Sequence, residues 1–123
     1  MPEQRQHLLR AKQNEALAES LRKDNGCNID WAIVMLFYSA LHYVDAYLAG
    51  KQAHPVDHKH RDDEIERNGA ISDIFGDYRR LKDLSRAARY EIPEYTIDKL
   101  NLAKSKLGNI KKHLGKLGLP QPI

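Results

Sequence analysis

Cysteine is almost absent: Cys27 is the only one in 123 residues, which excludes an internal disulfide and any thiolate-rich zinc site. Long apolar runs are missing too; none is expected to approach the ~20 residues that a membrane-spanning helix requires. The opening Met-Pro-Glu-Gln-Arg-Gln-His carries charge with no apolar segment behind it, so no secretion signal is expected. Together these lacks point to a reducing cytoplasm and no membrane. No glycine-rich loop is available to cradle a phosphate. Ser20, Ser39, Ser72, Ser85 and Ser105 fall in or near helical patterns, without the strand-to-helix elbow of a nucleophilic serine. Repeats, low-complexity stretches and interdomain linkers are also lacking, and the length suits one domain with one modest core.

Acid is missing from the end of the chain. After Asp98 no Asp or Glu occurs, while Lys99, Lys104, Lys106, Lys111, Lys112, His113 and Lys116 follow. With a net charge of +3 and a pI near 9.0, this one-signed segment has two readings. Lys104, Lys111 and Lys112 could contact the phosphates of RNA. Alternatively, the lysines form a solvated face that suits the negative end of the helix dipole.

What is present is helical periodicity, and it predicts an all-α, antiparallel four- to five-helix up-and-down bundle. A first helix is expected from about Glu3 to Lys23 with Leu9, Ala16, Leu17 and Leu21 inward, stopped by Asp24-Asn25-Gly26. Asn28 can cap a second helix that runs to Ala49 and ends at Gly50. From Trp31 to Ala49 this helix is apolar on nearly every side, so it should be the most enclosed element. Its apolar surface exceeds what one small bundle covers easily, which suggests a homodimer. A short charged helix is expected over Asp57 to Arg67, broken at Asn68-Gly69. Ile71, Ile74, Phe75, Tyr78, Leu81, Ser85 and Ala88 then mark an amphipathic helix. Pro93 suits the first turn of a last helix, whose seam is Leu100, Ala103, Leu107, Ile110, Leu114 and Leu117.

Several polar side chains keep apolar company. Trp31, Tyr38, His42 and Asp45 share one stripe of the second helix, and Arg89 falls at the angle of Ile71 and Tyr78. An inward Asp and an inward Arg are tolerable only when paired, so Asp45, His42 and Arg89 are expected in one buried network with Tyr38 or Tyr78. Such a network either fixes helix register or lines a cleft for acid–base or phosphate chemistry. His54, His58 and His60 form an H-x3-H-x-H cluster, but Pro55 interrupts the first pair and no second ligand motif accompanies it. A solvated loop and helix start is the reading adopted, with no metal and no cofactor.

The segment Phe37-Tyr38-Ser39-Ala40-Leu41-His42-Tyr43-Val44-Asp45-Ala46-Tyr47-Leu48 resembles the second helix of the HEPN family. The run Tyr78-Arg79-Arg80-Leu81-Lys82-Asp83-Leu84-Ser85-Arg86-Ala87-Ala88-Arg89-Tyr90-Glu91 resembles the end of that family's third long helix. The likeness covers roughly Trp31 to Leu117. It implies a helical bundle that is usually homodimeric and serves as a ribonuclease or RNA-binding partner in toxin–antitoxin, phage-defence and mobile-element systems. The partner protein would be an antitoxin or a nucleotidyltransferase. Active ribonucleases of the family carry Arg-x4–6-His; here the matching Arg86 is followed at that spacing by Glu91. Three functional readings follow. The first is RNA or partner binding without cleavage, with Tyr38, Asp45, Tyr78, Tyr90 and the lysines as contact residues. The second is metal-independent ribonuclease action by Arg86 and Arg89 with Glu91 or a histidine near in space, His42 or His60. In the third, a nucleotide or phosphate is held over Arg86 and Arg89.

Overall fold

The computed structural model describes residues 3–22, 29–90 and 97–120, with the backbone alone at position 90. The described residues form five α-helices and one 3-10 turn, with no strand. The helices are α1 (Gln4–Arg22), α2 (Ile29–Gly50), α3 (His58–Arg67), α4 (Phe75–Tyr90) and α5 (Ile97–Lys116), and the turn Ser72–Ile74 leads into α4. The chain is an all-α helical bundle.

Cross-helix contacts give the directions. Gln4 meets Ala46 and Ala11 meets Ser39, so α1 runs against α2. Phe37 packs on Tyr78 and Tyr38 meets Arg89, while Asp77 pairs with Lys106 and Ala70 meets His113, so α5 runs against α4. The helix α2 packs against α1, α4 and α5, whereas α3 is a short strap with few neighbours.

As its composition requires, α2 is the enclosed element, with Ile33, Phe37, Ala40 and Val44 at 0% exposure. By length and composition it is, contrary to the expectation from apolar run length, long and apolar enough to cross a membrane. In the fold 83% of that apolar stretch is buried, and a core helix needs the same composition. Its apolar surface is also covered largely within one chain. Trp31 is the exception, 52% exposed, so it does not share the inward stripe of Asp45.

The contact of α1 with α2 differs from the expected leucine face. Ala11 and Ala18 are the buried residues of α1, Leu8 and Leu21 are half-buried, and Leu9, Ala16 and Leu17 face outward. Small side chains let the two backbones approach, and Ser39 Oγ uses the gap to donate to the Ala11 carbonyl at 2.8 Å. That bond satisfies a hydroxyl that α2 would otherwise bury without a partner.

Helix ends follow local chemistry. The Asp57 carboxylate accepts from the His60 N–H at 2.8 Å and caps α3. At the end of α5, Leu119 N–H bonds to the Leu114 carbonyl and Gly118 N–H to that of Gly115, with Gly118 at φ 96° and Leu119 buried. This is a Schellman closure. An equivalent closure ends α2, but its left-handed residue is Gln52 (φ 64°), two residues beyond Gly50. The amphipathic stripe of α4 holds, with Ile71, Ile74, Tyr78, Leu81 and Ser85 buried, and so does the α5 seam from Leu100 to Leu114, while Leu117 is exposed. The expected stop at Asp24-Asn25-Gly26, the cap Asn28 and the helix start at Pro93 lie outside the described residues.

Candidate functional site

Asp45 is buried on α2, and its partner is Arg61 of α3. Arg61 Nε donates to Oδ1 at 2.7 Å and Nη2 to Oδ2 at 2.9 Å, a two-pronged pair whose side chains are 10% and 8% exposed. This corrects the expected pairing of Asp45 with Arg89. Burial opposes the Arg61 charge, and the Asp45 carboxylate overcomes it, raising the guanidinium pKa. A sequence signal for Arg61 existed: it stands four residues before Ile65, the only large apolar residue of α3 and fully buried, so both share one face. The buried Tyr78 hydroxyl lies against the Arg61 guanidinium without a hydrogen bond of ordinary geometry, and burial first of all raises its pKa.

His42 joins this group as expected, together with a residue that the sequence reading missed. His7 of α1 brings its Nδ1 to 3.1 Å from Nδ1 of His42, with the rings 5.4 Å apart. Each of His7, His42 and Asp45 has a polar atom within 4.8 Å of the other two. The hint for His7 lies in its spacing from Ala11 and Ala18, which puts it on the face of α1 that meets α2. Burial lowers the pKa of both imidazoles; His42 falls to about 4, with the charges of His7, Arg10 and Arg61 also opposing protonation and Asp45 favouring it. At neutral pH the pair is uncharged, one ring donating and the other accepting.

Arg89 belongs to a second set of groups. Its Nη1 donates to the Tyr38 hydroxyl at 2.9 Å, and its guanidinium carbon stands 5.8 Å from that ring's centroid. Arg79, Lys82, Arg86 and Arg89 follow at steps of three, four and three, so one edge of α4 is cationic. Lys82 bonds Asp62 of α3 at 2.6 Å, which sets this edge beside the strap. Arg79 lies over the Phe75 ring, whereas Arg86 is exposed and makes no ion pair among the described residues. His58, the first residue of α3, packs 6.2 Å from Phe37; its pKa is lowered by burial and then by the charges of Arg61, Lys82 and Arg89.

The lysines of α5 are largely spoken for. Lys111 bonds Glu15 at 3.0 Å, Lys104 approaches Glu19 at 3.7 Å, and Lys106 pairs with Asp77 at 3.0 Å. Lys112 remains exposed. The one-signed charge of α5 thus answers acids on α1 and α4 in part, and of the expected phosphate-binding set Lys104 and Lys112 are exposed while Lys111 is drawn to Glu15. A groove of about 480 Å³ lies between α1 and α5, floored by Leu36, Tyr43 and Leu107 and bridged at its rim by the Glu15–Lys111 pair. The Tyr43 hydroxyl donates to Glu15 at 2.9 Å, and burial with this carboxylate raises its pKa.

The chain matches no protein-family model, no curated protein and no solved structure.

The three histidines around Pro55 diverge. His58 packs on Phe37, and His60 accepts from the Val56 N–H at 3.2 Å and faces Glu64 at 3.6 Å. His54 is half-buried on the loop, and a charge on it opposes protonation of His7. Glu91 and the Tyr90 side chain lie outside the described residues. Of the expected site residues, Asp45, His42 and Tyr78 come together around Arg61, Tyr38 and Arg89 pair one to two turns away, and Arg86 stands exposed beyond them. The first group is a closed polar brace, and the second ends in the exposed Arg86.

Proposed function

We propose that this chain is a HEPN-like bundle that binds RNA without cutting it. It would act as a cytoplasmic homodimer in a toxin–antitoxin, defence or mobile-element setting, beside an antitoxin or nucleotidyltransferase. The observation that carries the reading is the cationic edge of α4: Arg79, Lys82, Arg86 and Arg89 on one side, with the Tyr38 ring and His58 beside it. Guanidinium groups take phosphate oxygens two at a time, and a row at helical spacing suits successive phosphates of a strand. An aromatic ring beside the row offers a surface on which an unpaired base can stack. The resemblance of α2 and α4 to HEPN helices points to the same partner class. The exposed stripe of Leu9, Ala16 and Leu17 on α1 supports self-association.

Fluorescence anisotropy with a single-stranded RNA tests the reading. Affinity should fall steeply with salt, and Arg79→Gln with Arg86→Gln should lower the salt slope by about two. The RNA should remain intact on a denaturing gel. Affinity and slope unchanged in that double variant would refute this edge as the contact. Light scattering should give twice the 14.1 kDa chain mass, and a clean monomer would remove the dimer from the proposal.

One observation favours a ribonuclease as the second reading. His58, its pKa lowered by partial burial and by neighbouring cations, stands near Arg89 and Lys82, as a general base beside phosphate-binding cations would. Metal-independent cleavage that disappears in His58→Gln would turn the binder into an enzyme. Binding of a mononucleotide as tight as that of the RNA would instead favour a small phosphate ligand over Arg86 and Arg89.

A further inference from the structure

We infer that His7, His42 and Asp45 form a binding site for one divalent transition metal ion of the zinc class. The site lies where the start of α1 crosses the second half of α2, apart from the cationic edge of α4.

Geometry carries the inference. Two imidazole nitrogens bound to a tetrahedral zinc at ~2.0–2.1 Å stand about 3.3 Å apart. The Nδ1 atoms of His7 and His42 stand at 3.1 Å, so the pair is already near the bite of a chelate. A carboxylate oxygen of Asp45 lies within 4.8 Å of a ring nitrogen of each histidine, so a closure of up to ~1.5 Å brings it to the same spacing. Two imidazoles and one carboxylate leave a fourth tetrahedral position for a water molecule.

The ligands are also held from behind. Arg61 grips Asp45 with both nitrogens, yet each carboxylate oxygen keeps a second lone pair for a metal. The guanidinium thereby orients the carboxylate as an outer partner does in metal sites generally. Its charge also cancels that of Asp45, so net negative charge cannot be what attracts the ion; imidazole donation must do so. This selects ions that favour nitrogen, such as Zn2+ or Co2+, over Mg2+ and Ca2+, which take oxygen sets.

Protons balance without loss. In the free protein one Nδ1 carries the hydrogen shared between the two rings. On metal binding that hydrogen moves to Nε2 of the same ring, so both Nδ1 atoms offer lone pairs and both rings stay neutral.

Cobalt chloride titrated into the full chain, followed by d–d absorption and by thermal melting, tests the site. One equivalent should saturate the absorption and raise the melting temperature, zinc should displace cobalt, and magnesium should do neither. His7→Gln and His42→Gln should each weaken binding by on the order of a hundredfold, at least the loss seen when an outer-shell partner is removed. His60→Gln with His113→Gln should leave it unchanged. Should the His7 or His42 variant misfold by circular dichroism, nitrogen NMR of the native protein replaces it: zinc must shift Nδ1 of both residues. No cobalt absorption with excess metal, wild-type affinity in both histidine variants, or unmoved Nδ1 signals would overturn the inference. RNA binding is read separately, so its failure would leave this result intact.

Discussion

Removing one member of the Asp45–Arg61 pair should be among the most damaging single changes in the chain. Both side chains are about nine-tenths buried, and two charge-assisted hydrogen bonds of 2.7 and 2.9 Å join them. Asp45→Ala strands a guanidinium beside the buried Tyr78, with no second carboxylate bonded to it among the described residues. Arg61→Ala strands a carboxylate, which neutral His42 and His7 offset only in part. Breaking such a pair costs about 3–5 kcal/mol, against about 5–15 kcal/mol for a domain's total stability. The double variant leaves no stranded charge, so its cost should fall short of the sum by about 2–3 kcal/mol. Urea unfolding of the four proteins, with m-values checked for constancy, measures this coupling. Asp45→Ala combined with Arg89→Ala is the control. Arg89 bonds Tyr38, so this second cycle should be additive to within about 0.5 kcal/mol. Coupling to Arg89 with none to Arg61 would refute the network described here.

Three further outcomes are expected. His42, with its pKa near 4 against an ordinary 6.5, faces His7, Arg10, Asp45 and Arg61. The unfolded chain therefore binds its proton more readily, and the stability it contributes is complete above pH 6.5 and is lost as pH falls toward 4. Comparing urea midpoints of wild type and His42→Gln across that window isolates the effect, and a His42 NMR titration midpoint at or above 6.5 would contradict it. Gln52→Gly should stabilise by about 1 kcal/mol, because Gln52 holds the left-handed φ of 64° that glycine adopts without strain; a lower melting temperature would show that its side chain matters more. Asp57→Ala should cost about 1 kcal/mol through the lost cap on α3, and it should loosen the Arg61 strap, seen as faster amide exchange over His58–Arg67 with α5 unaffected.

The helices themselves were legible in the sequence because their causes are local. Periodicity marked α4 and α5, an unbroken apolar run marked α2, and Asp57 and Asn68 bounded α3 within a residue. Inward angles were legible as well: Asp45 points into the bundle, as its stripe implied. An angle, however, names a direction and not a neighbour. Whether Asp45 meets Arg89 or Arg61 depends on where the loop after Gly50 lays α3 across α2, and no local rule determines that. The same limit hid His7, whose partner stands 35 residues away, and left two readings open for the lysines of α5, whose acids are up to 96 residues distant on α1. It also reversed the face of α1. Hydrophobicity favoured Leu9 and Leu17, but the helix turns inward Ala11, which meets Ser39, and Ala18 on the same face. The sequence by itself determined which segments are helical and which residues cannot stand alone in an apolar interior. Only the tertiary structure decided who pairs with whom, because charge compensation acts between atoms in contact and contact is a property of the packed chain.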